Sequence, residues 1–335
     1  IQESLHLKNV ILKLVRIKKV NEVEYLIISS THDYSTDLVC CELNHRKKKY
    51  LRINRDSFQE YDIIYSLENN TIEIKMDGKQ YLLKNDNILG IYFRAPVFLR
   101  SHKKYLLNEQ LIRSQWSAFI RNLVVFDKAK WINNPVDTYK AENKMYQLKC
   151  ANDIGLLTPK TYVGNIIPDN IVEENNYIVK SLDTALFYNE NQELFTYSSI
   201  ISGKELKSAN IKDAPIILQE CLENKLDLRV TVIGDKLFPV SITCSGSGLV
   251  GDWRKNKKDT LTYNSFDLPD EIRTKILMLM KKLNLSFGGV DLILKEDKYY
   301  FIEVNPTGEW GWLESVNSLP ISCEIVNALI KGDNI

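Results

Sequence analysis

Two apolar segments near the carboxyl end of the chain, separated by a short polar stretch, constrain its fold more than any other feature. Residues 288–294 have the sequence GGVDLIL, and residues 301–306 have the sequence FIEVNP. Their apolar character predicts two strands, and the polar residues 295–298 between them predict a tight turn. We therefore expect an antiparallel hairpin, in which residues directly opposite each other share one face of the sheet.

Three oxygen-bearing side chains are expected on one face of this hairpin. A turn centred near Asp297 places Asp291 opposite Glu303, and Asn305 follows two residues later, with about 5 Å between cross-strand neighbours. Two carboxylates and an amide oxygen suit Mg²⁺, which completes its shell with water and substrate phosphates. An ordinary hairpin with exposed acids would explain either acid alone, whereas the grouping favours a magnesium–nucleotide site.

Composition and charge indicate an ordinary globular protein. The length of 335 residues suits two or three packed subdomains rather than one small core. The net charge of +1 gives no global electrostatic reason to expect nucleic-acid or membrane binding. No apolar run approaches the roughly 18 residues that a membrane span needs.

The six cysteines show neither a C-x-x-C pair nor the spacing of a zinc site. Their positions are Cys40, Cys41, Cys150, Cys221, Cys244 and Cys323. We expect them to be buried reduced thiols, and the protein to be cytoplasmic.

The first 22 residues stay unassigned. Residues 5–20 mix Lys and Arg with Leu, Ile and Val. They lack the separate charged region and continuous apolar core of a signal peptide. A basic helix that docks on a partner and a structural helix or strand both explain the pattern.

Alternating strand-like and helix-like segments predict an α/β (α+β) chain. In the amino-terminal part we expect strands at 24–30, 49–54 and 88–93, a hairpin of 71–76 and 80–84, and helices at 33–43 and 108–126. In the last of these, the residues expected to face inward are Leu111, Trp116, Phe119, Ile120 and Leu123. In the carboxyl-terminal part we expect helices at 138–154 and 270–283, strands at 177–180 and 216–219, and a hairpin of 227–233 and 236–242. We also expect strand structure over 186–201, interrupted by the polar residues 189–192.

From about residue 134 to residue 329, the order of several short motifs resembles the ATP-grasp superfamily. The motifs are Asn143-Lys144, Gln147-Leu148, Ala151, Gly155-Leu156, Pro159-Lys160-Thr161, Ile178-Val179-Lys180, Gln219-Glu220-Cys221-Leu222, Asp227-Leu228-Arg229-Val230, and finally Asp291, Glu303 and Asn305. The resemblance implies an ATP-grasp fold in three parts after the segment 1–22. These are an α/β pre-ATP-grasp domain (23–130), a central subdomain (131–215) and an antiparallel-sheet subdomain (216–335).

Within that superfamily, four further features resemble the graspetide synthetases, the microviridin-type peptide macrocyclases. They are the segment 93–96 (FRAP), a first βαβ unit with 25–28 (YLII), Asp33, 35–37 (STD) and 52–54 (RIN), the segment 252–254 (DWR), and the segment 308–314 (GEWGWLE). One departure is Ala95, where many relatives carry a second arginine.

The resemblance implies that the protein binds ATP and Mg²⁺. Lys144 and Lys180 would contact the triphosphate, and the metal ligands would be the three hairpin residues. The remaining nucleotide site would comprise Gln219, Glu220, Leu222 and Asp227. A solvated surface position explains either lysine alone.

The expected catalytic residues are Lys180, Arg229 and Arg254. Arg229 would steady the transferring phosphate, because a guanidinium binds phosphate or carboxylate through two parallel hydrogen bonds. Arg254, together with Arg94, would hold an acidic side chain of the substrate. The alternatives are an exposed Arg229 on an amphipathic strand and a solvated loop at Arg254.

The resemblance implies a ligase that phosphorylates an Asp or Glu side chain of a ribosomal precursor peptide and closes an ester or amide ring. The partner would be that peptide, whose leader would bind the hairpin at 186–198, although a plain lid over ATP explains the same hairpin. The resemblance also suggests a homodimer. Alternatives are a ligase that adds amino acids to a peptide or protein end, and a nucleotide-binding protein without turnover.

The metal assignment gives a direct prediction. Glu303→Gln is expected to abolish ATP-dependent product formation and to leave the fold intact, because it removes one charged ligand from the shared face. Product formation and circular dichroism measure the two effects. A folded and fully active variant would contradict the assignment.

Overall fold

We describe the fold from a computed structural model. The described residues are 20–94, 106–183, 198–244, 246–257 and 260–330, together with the backbone of the strands Leu186–Asn189 and Gln192–Phe195. Of the unassigned segment 1–22, residues 1–19 lie outside this description, and the last three residues form a strand (β1, Val20–Glu22).

Four parallel strands form the amino-terminal sheet, in the order β3-β2-β7-β8. Their bounds are Tyr25–Ser29 (β2), Tyr50–Asn54 (β3), Gly90–Phe93 (β7) and Lys130–Ile132 (β8). Helix α1 (Tyr34–His45) covers one face of this sheet and begins at Asp33, whose side chain accepts a hydrogen bond from the backbone N of Thr36. The strands predicted at 24–30, 49–54 and 88–93 and the helix predicted at 33–43 are confirmed.

A second small sheet has the order β1-β6-β5-β4. Its other strands are Asp62–Ser66 (β4), Thr71–Met76 (β5) and Lys79–Lys84 (β6). Asp77 and Gly78 form the predicted turn between β5 and β6, and both have positive φ.

Helix α2 (Leu107–Asn122) packs against the core only through its second half. Trp116 stacks on Phe58, with 4.5 Å between the ring centroids. Leu111, predicted to face inward, is instead 61% exposed, because the first turns of the helix extend beyond the core. The other positions predicted to face inward do so: Trp116, Phe119, Ile120 and Leu123.

Four antiparallel strands form the central sheet, in the order β13-β10-β14-β9. The strands of this region are Thr161–Gly164 (β9), Asn176–Lys180 (β10), Leu186–Asn189 (β11), Gln192–Phe195 (β12), Ser199–Ser202 (β13) and Ile216–Glu220 (β14). The strand predicted over 186–201 is divided into the hairpin β11–β12 and β13. Because β14 pairs with β10 and β9, the division that we proposed at residue 215 moves to follow Glu220.

We predicted one continuous helix over 138–154, and this prediction is wrong. Two helices occur, α3 (Pro135–Ala141) and α4 (Lys144–Asp153). At the break, Asn143 is extended (φ −73°, ψ 103°), and its side-chain amide donates to two carbonyls in the last turn of α3. An asparagine that satisfies these carbonyls competes with the continuation of the helix. Gly155 follows α4 with φ +77°, as predicted.

Five antiparallel strands form the carboxyl-terminal sheet, in the order β17-β16-β15-β18-β19. Their bounds are Leu226–Ile233 (β15), Lys236–Cys244 (β16), Leu261–Ser265 (β17), Phe287–Lys295 (β18) and Lys298–Asn305 (β19). Helices α4 and α6 (Asp270–Lys282) pack on one face over Leu228, Val230 and Val290. Alternation along the strands leaves polar side chains on the other face.

The chain then returns to the amino-terminal sheet. Two helices, α7 (Gly311–Asn317) and α8 (Ile321–Ile330), contribute to one core with Tyr25 and Tyr92. A short helix, α5 (Gly203–Ser208), packs on the central sheet.

In the part of the chain that the structure describes, none of the helices has both the length and the apolarity to cross a bilayer. All six cysteines are free.

Asn133, which follows β8, joins the amino-terminal sheet to the hairpin β18–β19. Its Nδ2 donates to the carbonyls of Phe287 (2.8 Å) and Pro306 (2.9 Å). Its Oδ1 accepts from the backbone N of Ser286 and of Phe287, both at 2.9 Å. One buried amide therefore holds the start of β18 and the residue after β19.

Asn133→Ala is expected to lower the free energy of unfolding by about 2–4 kcal/mol, because several buried backbone groups lose their partners. Chemical denaturation measures this loss. The control is Asn165→Ala, which removes an exposed amide that donates to the Lys212 carbonyl, and about 0.5 kcal/mol or less is expected there. Equal losses in both variants would refute the importance of the Asn133 contacts.

Candidate functional site

Asp291 pairs directly with Glu303, as predicted, but the local geometry differs from the one assumed. The turn consists of residues 296–297, both with positive φ, so the hairpin is centred half a residue earlier than Asp297. A β-bulge next to Asp291 adds Ile302 as an extra residue on β19 and restores the pairing. Without the bulge, Asp291 would oppose Ile302, and Glu303 would lie on the other face.

Pairing across three strands places charged residues in one row. Arg229 on β15 lies opposite Asp291 on β18, which lies opposite Glu303 on β19. In the neighbouring row, Gly289 pairs with Asn305. The hairpin alone predicted two carboxylates and an amide, and the third strand adds an arginine beside them.

The guanidinium of Arg229 fills the space over Gly289. A Cβ placed on Gly289 would lie 2.1 Å from Nη2 of Arg229, and a Cβ on Gly308 would lie 2.3 Å from the same atom. Nη1 of Arg229 donates to Oδ1 of Asp291 at 2.9 Å, and the residue is only 5% exposed. Its Nε has no hydrogen-bond partner among the described residues. The two glycines therefore form a slot that fixes Arg229 beside Asp291.

A second arginine, Arg254, reaches the same carboxylates from the 3-10 turn Trp253–Lys255. Its Nη2 donates to Oδ2 of Asp291 (2.5 Å) and to Oε1 of Glu303 (2.9 Å). Asp252 accepts from the backbone N of Arg254 at 3.1 Å. We expected Arg254 to contact substrate, and the structure brings it onto the carboxylates predicted to bind metal. Each oxygen of Asp291 is therefore bound to a different arginine.

The cations around Glu303 keep this carboxylate ionised. Burial raises the pKa of Glu303, but Arg254, Lys180 and Lys144 outweigh this effect and lower the pKa to about 2. Burial lowers the pKa of Lys180, and the charge of Glu303 opposes this shift. Burial also disfavours the charged form of Arg254, yet Asp291 and Glu303 raise its pKa above the ordinary value. Glu303 is therefore negative at physiological pH.

The two predicted triphosphate lysines come from the central region. Lys144 is the first residue of α4, and its Nζ donates to the carbonyl of Ser181 at 3.0 Å. Lys180 is the last residue of β10. Both interact electrostatically with Glu303, so they converge on the same side of the site.

The segment 219–222, predicted to belong to the nucleotide site, leads from the central sheet to the carboxyl-terminal sheet. Gln219 and Glu220 end β14, and Leu222 is buried. The side chain of Gln219 donates to Oγ1 of Thr161 at 2.9 Å, and the backbone N of Glu220 donates to the Lys160 carbonyl at 2.9 Å. The side chain of Gln219 is thus used within the protein, and the role of this segment in nucleotide binding stays a prediction.

Asp227, also predicted to bind nucleotide, is buried against Lys225. Nζ of Lys225 donates to both carboxylate oxygens, at 2.5 Å to Oδ1. Burial raises the pKa of Asp227, and Lys225 opposes this shift. Sequence reasoning missed Lys225, because nothing around it distinguishes a buried lysine from a surface one.

Arg94, predicted to bind substrate, is buried and bonded within the protein. Nε donates to Oδ2 of Asp33 (2.9 Å), Nη2 to Oε1 of Glu309 (2.7 Å) and Nη1 to the carbonyl of Gly308 (3.3 Å). These contacts support a positioning role rather than the predicted substrate contact. Its neighbour Ala95 lies outside the described residues.

Gln147 fixes the strand that carries the predicted ligands. Its Nε2 donates to the carbonyls of Ala141 (2.6 Å) and Val304 (2.8 Å), and its Oε1 accepts from the backbone N of Val304 at 2.9 Å. Val304 lies between Glu303 and Asn305, so α4 controls the position of both. Gln147 belongs to one of the motifs found in the sequence, but its pairing with the backbone of Val304 becomes known only from the fold.

The donor set fits Mg²⁺. Oδ2 of Asp291 and Oε1 of Glu303 already share one cationic nitrogen, and Nδ2 of Asn305 lies 3.5 and 3.3 Å from these oxygens. Among the described residues, no cluster of three or more His, Cys, Asp or Glu side chains occurs. The site therefore offers two carboxylates, which suits a metal that completes its shell with phosphate and water, whereas the Asn305 amide turns its nitrogen, which is not a metal ligand, toward them.

Comparisons with known proteins agree with this geometry. Residues 188–329, which contain the whole charged row, match the family model of the RimK-like ATP-grasp domain. The matched segment, residues 188–329, is thus similar to an ATP-grasp domain. Its structure is similar to that of macrocyclase MdnC from Microcystis aeruginosa MRC, solved with the precursor peptide MdnA. The TM-score is 0.78 and the identity 25%, covering 92% of this chain and 99% of that chain.

Two further proteins to which the chain is similar differ in the molecules with which they are named. One is the RiPP-associated ATP-grasp ligase of Chryseobacterium gregarium, solved with ADP and a leader and core peptide (TM-score 0.78, 25% identity, 93% of this chain and 97% of that chain). The other is tetrahydromethanopterin:α-L-glutamate ligase of Methanocaldococcus jannaschii, 24% identical over 298 residues (84% of this chain, 97% of the relative). The predicted ATP-grasp fold and the predicted resemblance to peptide macrocyclases are confirmed.

The glycine slot generates a prediction about stability. Gly289→Ala is expected to destabilise the protein by about 1–3 kcal/mol, because the added Cβ collides with Arg229. In an Arg229→Ala background the same change is expected to cost markedly less, since the colliding side chain is gone. Denaturation of the four proteins measures this coupling.

Gly164→Ala is the matched control for the Gly289 prediction. A Cβ on Gly164 meets no atom within 4 Å, so it is expected to act equally in both backgrounds. If Gly289→Ala also costs the same with and without Arg229, the slot does not hold this arginine.

Proposed function

We propose that this protein is an ATP-dependent ligase that forms side-chain ester or amide rings in a ribosomally made precursor peptide. The row Arg229–Asp291–Glu303, together with Lys144 and Lys180, carries the proposal, because it combines an anionic metal site with cations for a triphosphate. The peptide-bound structures of the similar macrocyclase and RiPP-associated ligase support a peptide substrate. The proposed cofactors are ATP and Mg²⁺.

The proposed reaction has two steps. An oxygen of a peptide Asp or Glu carboxylate attacks the γ-phosphorus of ATP, and the bond from this phosphorus to the β–γ bridging oxygen breaks, which releases ADP. A Ser or Thr hydroxyl or a Lys amine of the same peptide then attacks the acyl carbon. The bond from this carbon to the phosphate oxygen breaks, and phosphate and a proton leave. Each ring removes the mass of one water from the peptide.

The side chains divide this work. Lys144 and Lys180 would hold the phosphates, and Arg229, fixed in its slot, would stabilise the charge of the transferring group. Mg²⁺ held by the two hairpin carboxylates and the amide would neutralise phosphate charge. Arg254 would bind the substrate acid. The scheme needs no covalent nucleophile from the protein, so catalysis depends on position and charge.

Addition of an amino acid to a peptide or protein end is the second candidate function. The relative named tetrahydromethanopterin:α-L-glutamate ligase favours the addition of an amino acid to a separate molecule, since its name pairs L-glutamate with a second substrate that is not a peptide. Both reactions share the acyl-phosphate step and differ in whether the nucleophile belongs to the same molecule. The mass of the product therefore distinguishes them.

The decisive experiment is the intact mass of an acid-rich small peptide, encoded beside this gene, after incubation with the protein, ATP and Mg²⁺. Ring closure is expected to remove one or more waters. The negative control is Glu303→Gln. The matched control is Glu296→Gln, which removes the same charge from the exposed turn of the same hairpin and is expected to be active. A gain in mass would support amino-acid addition and contradict ring closure.

We also propose that the hairpin β11–β12 binds the leader of the precursor peptide. The backbone of the two strands is paired from residue 186 to residue 195, and the side chains of residues 184–197 lie outside the description. A peptide strand added to a sheet edge gains main-chain hydrogen bonds.

Deletion of residues 190–191 at the tip of this hairpin is expected to weaken peptide binding more than ATP binding. Isothermal titration with the peptide and with a non-hydrolysable ATP analogue measures both. Equal losses would favour a plain lid over the nucleotide.

We propose a cytoplasmic location, which the six free cysteines support. The homodimer suggested by the resemblance stays a prediction, which sedimentation analysis of the purified protein tests.

A further inference from the structure

We propose that Arg254 acts as a place-holder for the metal ion, which means that it pairs with Asp291 and Glu303 while no metal ion is bound. A divalent cation at these two carboxylates then releases Arg254 to bind the substrate carboxylate. The inference rests on the proposed function, because it assigns an order to metal and substrate binding in that site. It concerns the residues of this chain and is testable with the metal ion alone.

The first observation is that one nitrogen bridges both carboxylates. Nη2 of Arg254 lies 2.5 Å from Oδ2 of Asp291 and 2.9 Å from Oε1 of Glu303. Asp291 and Glu303 are the carboxylates that would hold the metal. A guanidinium and a divalent cation on the same two oxygens would lie within a few ångströms of each other, where like charges repel strongly. The two carboxylates therefore hold either the Arg254 guanidinium or the metal ion, but not both.

The second observation is an asymmetry between the two arginines on Asp291. Arg229 is enclosed by Gly289 and Gly308, and it bonds the other carboxylate oxygen, Oδ1. The side chain of Arg254 is 37% exposed and comes from a short turn rather than from the sheet. Arg254 therefore has room to leave without disturbing the strands, whereas Arg229 does not.

The third observation is that Arg254 has a second anchor outside the carboxylate pair. Its Nη1 lies 3.5 Å from Oδ1 of Asp252, and its guanidinium lies 5.2 Å from the ring centroid of Trp253. Asp252 itself is held by Oγ of Ser198, at 3.1 Å from Oδ2. A displaced Arg254 thus stays at the edge of the site, with donors available for a new carboxylate.

The exchange couples two binding events. The metal ion displaces Arg254 from two carboxylates. An acidic side chain of the substrate then binds the released guanidinium through two parallel hydrogen bonds. Because linkage is reciprocal, the substrate acid also strengthens metal binding. The proposed order is metal–nucleotide first and the peptide acid second.

The test is the affinity for Mn²⁺ in the absence of nucleotide and peptide, measured from the electron paramagnetic resonance signal of the free ion. Arg254→Gln is expected to bind Mn²⁺ about tenfold or more tightly than the wild type, because the competing cation is gone. The matched control is Lys255→Gln, which removes the same charge one residue further along the turn and is expected to stay within about twofold of the wild type. Equal affinities for all three proteins, or equal gains in both variants, would overturn the inference.

A second measurement leaves Arg254 unchanged. Trp253 contacts the Arg254 guanidinium and lies 6.1 Å from Trp312, so displacement of Arg254 is expected to alter its fluorescence as Mg²⁺ is added to the wild type. Trp253→Phe is expected to lose this change. If Mg²⁺ displaces bound Mn²⁺ while the fluorescence of Trp253 stays constant, Arg254 does not move and the inference is wrong.

The outcomes separate this inference from the proposed function. Ring closure by the wild type, with equal Mn²⁺ affinities for the wild type and Arg254→Gln, would overturn the place-holder and leave the ligase. A gain of Mn²⁺ affinity in Arg254→Gln alone, with no water lost from the peptide, would support the place-holder and count against ring closure.

Discussion

The carboxylate of Asp291, buried between two arginines, is the interaction on which the rest of the site depends. A buried carboxylate is costly unless its charge is paired and both oxygens are hydrogen-bonded. Here Arg229 binds one oxygen and Arg254 binds the other. The requirement explains why residues 289 and 308 are glycines, because any side chain there would occupy the space of the Arg229 guanidinium.

The two arginines also show how a single carboxylate can serve structure and chemistry together. The Arg229 contact lies inside the sheet and contributes to the fold even without a ligand. The Arg254 contact lies at the surface of the site, on the oxygen next to Glu303. Burial raises the pKa of Glu303, but Arg254, Lys180 and Lys144 lower it to about 2, so this carboxylate is charged while those cations lie beside it. The proposed exchange replaces one of these cations, the Arg254 guanidinium, with a metal ion and keeps the carboxylate paired.

The sequence predicted what depends on local pattern. Apolar alternation and the polar turn gave the hairpin and the pairing of Asp291 with Glu303, although a turn half a residue earlier and a bulge at Ile302 jointly produce it. Features that depend on distant partners were missed or wrong. Leu111 has the spacing of a core residue but lies beyond the core, and Lys225 is buried although nothing in the local sequence distinguishes it from a surface lysine. Asn143 interrupts a helix through its side chain, which periodicity does not register.

Contacts between residues far apart in sequence also connect the amino-terminal sheet to the site. Arg94 of the amino-terminal sheet pairs with Asp33 and Glu309 and donates to the carbonyl of Gly308. Gly308 in turn forms one wall of the slot around Arg229. Asn133, from the same sheet, holds both ends of the hairpin that carries the carboxylates. The amino-terminal sheet thus sets the position of Arg229 and of both acids, so the geometry of the proposed phosphate site depends on residues outside that site.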